Sequence, residues 1–262
     1  MKRLLLTILL TTAAICCMPV VALAASPLQG VWMVMPDYQL GAPLKPAPQI
    51  TPAVAAKFAK QEAAMANGYV REVAGMLCLP TGGPLLMQLR SPFVVLEGLG
   101  RVTFIFETEG SNQPRTVYLT EKAHPDALYP SFNGHSIGHF EGDTLVVDTI
   151  GFNGRGELPG GLPKTTETHL IERFSVSADG KTLTDSMTVI DPNTLSQPWT
   201  TTLAFHRMAD TEERFEVWCE PDLEAFNATD LQTLKDFDSE VALMLDPATR
   251  ASDPAMAIKS AK

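Results

Sequence analysis

Residues 133–153 read NGHSIGHFEGDTLVVDTIGFN and bring His135, His139, Glu141, Asp143 and Asp148 close together. A two-residue turn at Gly142-Asp143 pairs Glu141 with Thr144, His139 with Val146, Ile137 with Asp148 and His135 with Ile150. Side chains alternate along each strand, so His135, Ile137, His139, Glu141, Val146 and Asp148 share one face. Asp148 then lies diagonal to both histidines, at the ~7–8 Å of diagonal neighbours. Two imidazoles and a carboxylate on one face suit general acid/base work, with the carboxylate fixing the tautomer of an imidazole. The same groups suit part of a zinc site. A plain alternative is a solvated face, because Phe140, Leu145 and Val147 lie on the opposite one. Asn133, just before the first strand, is a further polar candidate for substrate contact.

A second cluster is His169-Leu-Ile-Glu-Arg-Phe174. His169 and Arg173 share one face of a strand and Glu172 the other, so the strand cannot present all three to one pocket. Arg115, at the start of another apolar-alternating run, and Arg173 are candidates to hold an anionic group or an enolate. His124-Pro125 falls in a turn that can reach a barrel mouth. The candidate catalytic groups are therefore His135, Asp148, His169 and Glu172. Arg115, His124, Asn133 and Arg173 are candidates for substrate binding. No metal is assigned and no cofactor is expected. The chain has no G-x-S-x-G elbow, no H-E-x-x-H, no phosphate-binding loop and no dinucleotide fingerprint. Ser136 points away from His135 and cannot act as its nucleophile.

The elements that would position these groups are mostly strands. From Phe93 onward the apolar period is two, with Val102, Phe104 and Phe106 alternating against Thr103, Ile105 and Glu107. Further strands follow at 115–119, 135–141, 144–150, 168–176, 182–190, 199–207 and 213–219, separated by turn residues. With 31–35 and 93–97 this makes about ten strands and no alternating helices. The expectation is a mainly β fold, an antiparallel β-barrel or a sandwich. One helix is expected near 52–66, with Thr51 as N-cap and Pro52 at the first position. A C-terminal helix is expected near 223–246, with Leu231, Leu234, Phe237, Val241 and Leu245 on one face.

The chain of 262 residues begins Met-Lys-Arg and continues with an apolar run ending Ala22-Leu23-Ala24. This is the pattern of a signal peptide over 1–24, with residues 25–262 as a single barrel domain. The expected location is periplasmic or secreted, with no membrane attachment after cleavage. Cys78 and Cys219 are the cysteines beyond that segment, and an oxidising compartment would join them as a disulfide. The alternative is two buried thiols. A net charge of −10 with no basic patch argues against nucleic acid as partner. The oligomeric state is not legible.

Gly30-Val31-Trp32 resembles the Gly-x-Trp opening of lipocalins and calycins, in which the tryptophan lies beneath an arginine from a late strand. Arg207 or Arg214 could take that part. The 133–153 segment resembles the signature of a large family of uncharacterised secreted bacterial proteins, NGHSIGxWEGDTLVVDTxGF. Similar flanking elements are Cys78-Leu-Pro-Thr-Gly-Gly-Pro84, Arg115-Thr-Val-Tyr118 with His124-Pro125, His169–Phe174, and Asp191-Pro with Pro198-Trp-Thr200. The resemblance spans roughly residues 78–220 and departs at Phe140, where tryptophan is usual, and at 120–123. It implies no reaction. It marks His135, Asp148, His169, Glu172, Arg115 and His124 as residues to test.

Two functions fit. One is a cofactor-independent lyase, isomerase or hydrolase holding a small, largely apolar molecule in a barrel cavity. The other is a lipocalin-like periplasmic binding protein with the same cavity and no chemistry.

Overall fold

The computed structural model describes residues 26–38, 44–66, 78, 80–108, 114–211 and 219. The expected signal peptide, the strand at 213–219 apart from Cys219, and the C-terminal helix lie outside these residues.

The described elements, in chain order, are β1 (Gly30–Val34), α1 (Pro52–Met65), β2 (Phe93–Gly98), β3 (Arg101–Phe106), β4 (Arg115–Tyr118), β5 (His135–Glu141) and β6 (Thr144–Ile150). They continue with β7 (Glu157–Leu158), β8 (Leu162–Pro163), β9 (His169–Val176), β10 (Thr182–Ile190) and β11 (Trp199–Arg207). Nine of these strands close into one barrel, in the order β1-β11-β10-β9-β6-β5-β4-β3-β2. The sandwich alternative is thereby set aside. Closure leaves no edge strand, which is how an all-β chain avoids unpaired backbone groups. β7 and β8 form a separate two-stranded ribbon that the periodicity does not predict, being too short to show one.

The pairing is antiparallel at every barrel joint except one. β4 and β5 run parallel, with Val117 opposite Ser136 and Tyr118 opposite Ile137. A parallel joint needs a connection that returns to the starting end, and residues 119–134 supply it. That segment is not a hairpin turn, so it is free to fold over the outer wall.

Alternation sets the inside of the barrel. Inward positions include Val102, Phe104 and Phe106 on β3, Leu145, Val147 and Thr149 on β6, and Leu183, Asp185, Met187 and Val189 on β10. Aromatic rings fill much of the interior. Phe93 lies 5.2 Å from Phe106 and edge-on to Phe205 at 5.2 Å, and Phe104 lies 5.1 Å from Phe174.

The ends of the barrel are tied as the sequence anticipates. The Arg207 guanidinium lies 4.2 Å over the Trp32 ring. It also donates to the carbonyls of Gly180, Gln29 and Pro27 at 2.7, 2.8 and 2.6 Å, so one cation ties the β9–β10 turn to the segment before β1. Gly30 is required there: its φ is +135°, and a Cβ would collide with that guanidinium. α1 starts where expected, with Thr51 Oγ1 accepting from the Val54 N–H at 3.4 Å. It is anchored to the β10–β11 connection by Thr51 N–H to Thr194 O. Cys78 and Cys219 form a disulfide with Cα atoms 5.7 Å apart.

Candidate functional site

The β5–β6 hairpin has the register that its turn dictates: Glu141 faces Thr144, His139 Val146, Ile137 Asp148 and His135 Ile150. Gly142 takes the left-handed conformation, φ +60°, that the two-residue turn needs. β6 also pairs with β9, placing Asp148 opposite Ile171. Ser136, Gly138, Leu145, Val147 and Thr149 fill the inner face, so His135, Ile137, Asp148 and Ile150 lie on the outer wall. Three of the four candidate catalytic residues therefore share the outside of the barrel, and the fourth, Glu172, is inside it.

On the outer wall the groups form a chain of polar contacts, in which hydrogen bonds join His135, His124, Asp148 and His169 and an ion pair adds Glu121. His169 Nε2 is 3.0 Å from Asp148 Oδ1. His124 Nε2 is 3.0 Å from the same oxygen. His124 Nδ1 is 2.9 Å from His135 Nδ1. His135 Nε2 is 3.3 Å from Glu121 Oε2. Tyr118 stacks on His135 with ring centroids 5.2 Å apart, and Arg101 lies 5.7 Å over Tyr118. The order is Glu121–His135–His124–Asp148–His169, drawn from the 119–134 segment, β5, β6 and β9. Asp148 does not orient His135 directly, as the diagonal spacing had suggested; His124 stands between them. Burial lowers the proton affinity of His135, and neighbouring His124 lowers it further, while Glu121 works the other way. Exposure is least in the middle of the chain, with the His124 side chain 14% and His135 19% exposed, and greater at both ends, with Glu121 36%, Asp148 41% and His169 35%. The open groups on the strands are Asp148 and His169.

The remaining candidates fall elsewhere. Arg173 donates to Glu141 at 2.7 Å, near the hairpin turn, and His139 contacts the same carboxylate at 3.3 Å. Those two contacts hold the Glu141 carboxyl below its ordinary range, Arg173 contributing most. Asn133 Oδ1 accepts from the Gly83 N–H at 3.1 Å. Beside it, buried Lys164 donates to the carbonyls of Gly83 and Phe132, each at 3.0 Å. Asn133 therefore pins two loops together.

Inside the barrel, Arg115 meets both carboxylate oxygens of Glu172, at 2.8 Å to Oε1 and more closely to Oε2. It also donates to Thr149 Oγ1 at 3.2 Å, and Thr149 shares a hydrogen bond with Ser136 at 2.8 Å. Burial opposes the charge on Arg115, but Glu172 and Asp185 outweigh it. Asp185 is fully buried, and neither carboxylate oxygen has a hydrogen-bond partner among the described residues. Burial and the negative Glu172 push its carboxyl well above the ordinary range, against the pull of Arg115.

Sequence reasoning missed Glu121, Tyr118 and Asp185. Asp185 was legible, since it falls in step with Leu183, Met187 and Val189 on β10. Glu121 was not, because nothing local says which strand its loop covers.

A closed barrel, begun by a Gly-x-Trp strand and sealed by an arginine over that tryptophan, is a lipocalin-like β-barrel. No family model matches the chain, and no curated protein matches it. Among solved structures it is similar to an asparagine-to-alanine mutant of the fluorescent protein UnaG. The identity is 14%, over 71% of this chain and 98% of that one, with a TM-score of 0.34.

Proposed function

We propose that the protein is an exported acid/base enzyme that works without a cofactor on the outer wall of its barrel. Its working groups are His169 and Asp148, with His124 and His135 behind them. One observation carries this reading: the unbroken chain Glu121–His135–His124–Asp148–His169, assembled from four separate segments. The barrel closes through backbone pairing and a buried core, and needs none of these contacts.

The chemistry follows from the contacts. Asp148 accepts the Nε2 proton of His169, which leaves Nδ1 of that ring as the basic nitrogen. His169 takes a proton from the substrate or from water, and Asp148 stabilises the imidazolium formed. His124 and His135 do not touch the substrate; they hold Asp148 in place through the His124 contact. Ile137 and Ile171 flank Asp148 on either side, and Ile150 faces His135. They offer an apolar shelf for a small, partly hydrophobic molecule. Lyase, isomerase and hydrolase chemistry all fit. Arg115 and Glu172 pair with each other inside and hold no substrate in this reading. Export is supported by the signal-peptide pattern at 1–24 and by the Cys78–Cys219 bond. Among the described residues no helix is long and apolar enough to cross a membrane.

The test is turnover of an unlabelled metabolite extract in deuterated water, followed by mass spectrometry. The expected result is one compound converted, or deuterated at carbon, by the parent protein. His169→Ala and Asp148→Asn should slow it by ~10²–10⁴-fold. An extract left unchanged, or changed equally by all three proteins, removes the enzyme reading.

A second reading has its own observation. Asp185, with two unpartnered oxygens inside the barrel, could accept hydrogen bonds from a bound molecule, as in a non-catalytic binding protein. Native mass spectrometry of protein purified from its own compartment decides it: an added organic mass lost in Asp185→Ala supports binding.

A further inference from the structure

We infer that Asp185 anchors a ligand site inside the barrel, and that the ligand it takes is a small organic cation, a protonated amine. The inference deepens the second reading above, that the interior binds a molecule, and rests on it. It does not depend on the chemistry of the outer wall. Asp185 stands on β10 in step with Leu183 and Met187, all three fully buried. Its cross-strand neighbours are Phe174 of β9 and Leu203 of β11, and directly opposite residues share a face. The carboxyl is thus set among apolar side chains, and neither oxygen receives a hydrogen bond from the described residues. Asp191 shows how this chain treats a buried carboxylate that ties backbone together. It accepts from the backbone N–H groups of Thr165, Asn193 and Thr194 and from the hydroxyls of Thr165 and Thr168. Buried polar groups are almost always hydrogen-bonded, so a carboxyl left without donors by its own chain points to a donor from elsewhere.

Charge narrows that donor to a cation. Arg115 and Glu172 meet through two hydrogen bonds and cancel, and the further Arg115 bond goes to Thr149. None of these bonds reaches Asp185. The charged groups that act on Asp185 are Arg115 of β4 and Glu172 of β9, while the residues opposite it on β9 and β11 are uncharged. An ionised Asp185 is therefore the uncompensated charge of this inner group. An ammonium neutralises it and supplies the missing N–H donors in charge-assisted hydrogen bonds. An anion would face two carboxylates instead. A metal ion would need several oxygen ligands, and Phe174, Leu203, Leu183 and Met187 offer none. The wall also suits an organic cation. The Phe174 ring centroid is 5.1 Å from that of Phe104, and the Arg115 guanidinium already lies 5.9 Å over Phe104. Aromatic faces attract cations, and the apolar neighbours suit the carbon skeleton of an amine.

Ligand and proton then compete for Asp185. In the free protein, burial and the negative Glu172 push the carboxyl well above its ordinary range, against the pull of Arg115. The ammonium takes the carboxylate form, so a proton leaves for solvent as it binds. Affinity should rise with pH, by up to about tenfold per unit, while Asp185 still holds its proton, and level off above that range. An alkylamine keeps its own proton throughout, since its affinity for it is near that of lysine, about pH 10.

The experiment titrates the full mature chain, carrying carboxyl-¹³C aspartate, with methylammonium and n-butylammonium from about pH 5 to 8. Methanol, n-butanol and butyrate serve as neutral and anionic counterparts. The expected result is a saturable shift of the Asp185 carboxyl signal with an ammonium, tighter as pH rises. The alcohols and butyrate should bind more weakly by about tenfold or more. Asp185→Asn, which keeps the shape of the side chain, should weaken ammonium binding roughly 30-fold or more and remove its pH dependence. Phe174→Leu should weaken it roughly 2–30-fold and keep the pH dependence. Alcohols bound as tightly as the ammonium ions would overturn the inference and leave binding in the interior standing. Ammonium binding that survives Asp185→Asn would overturn it too, by placing the cation elsewhere. If no probe shifts the Asp185 signal, the inference falls, and the native-mass measurement above decides the binding reading by itself.

Discussion

Asp148 and Thr149 are neighbours in the chain and lie on opposite sides of the barrel wall, as do His135 and Ser136. The same strands thus serve two polar systems that do not touch. The outer one is a chain of titratable groups; the inner one joins Ser136, Thr149, Arg115 and Glu172, with Asp185 beside them. Substitutions should separate them: outer changes should affect proton transfer, inner ones stability. Asp185 gives the sharpest case. Its carboxyl binds a proton more tightly in the fold than in the unfolded chain. Its contribution is fully present below the unfolded value near 4 and is lost as pH rises through the higher folded value. Asp185→Asn keeps the shape and removes the ionisation. The variant should therefore gain stability relative to the parent as pH goes from about 4 to 8. Urea unfolding of both proteins at several pH values measures it. A pH-independent difference would mean that Asp185 ionises in the fold as freely as outside it.

At the scale of elements, the parallel β4–β5 joint is where the architecture and the outer site meet. Gly138 sits at this joint without a side chain. A Cβ there would lie 2.6 Å from Val117 Cγ1 and 2.9 Å from the Val146 carbonyl oxygen, and the second of these is backbone. Gly138→Ala should wedge β4 from β5 and cost about 1–3 kcal/mol, read as a lower unfolding midpoint. It should also loosen the His124–His135 contact while sparing Asp148–His169, which ¹⁵N spectra of the same protein would show. An unchanged midpoint would mean that the strands part without loss. The rest of this region was legible in advance, because a two-residue turn at Gly142 fixes the β5–β6 register, and the register fixes the faces. The parallel joint was not. Residues 119–134 carry no period, and pairing arguments reach only between adjacent strands. His124 was accordingly identified as a candidate, but its position between His135 and Asp148 was not.

For the whole molecule, strand count and polarity implied a β fold, but barrel and sandwich share the same alternation. Closure depends on β1 meeting both β2 and β11, a pairing between distant segments. The Gly30-Val31-Trp32 opening, with Arg207 or Arg214 as its candidate partner, was the sign of it in the sequence, and the structure gives the part to Arg207. The Cys78–Cys219 bond acts on this same long-range order, since its partners are 141 residues apart and enclose eight of the nine barrel strands. Such a link lowers the entropy of the unfolded chain more than a short one does, by about 4–5 kcal/mol in the loop-closure picture and typically less in practice. Replacing both cysteines by alanine should therefore lower the unfolding free energy by about 2–5 kcal/mol. The contacts of the outer site should stay unchanged, because Cys78 and Cys219 lie outside the four segments that build it. Urea unfolding measures the first expectation, and the imidazole ¹⁵N shifts of His124 and His135 in the folded variant measure the second. Equal stability with and without the bond would show that the ends of this loop are held together in the unfolded chain by something else. Changed imidazole shifts would show that the bond also shapes the native wall.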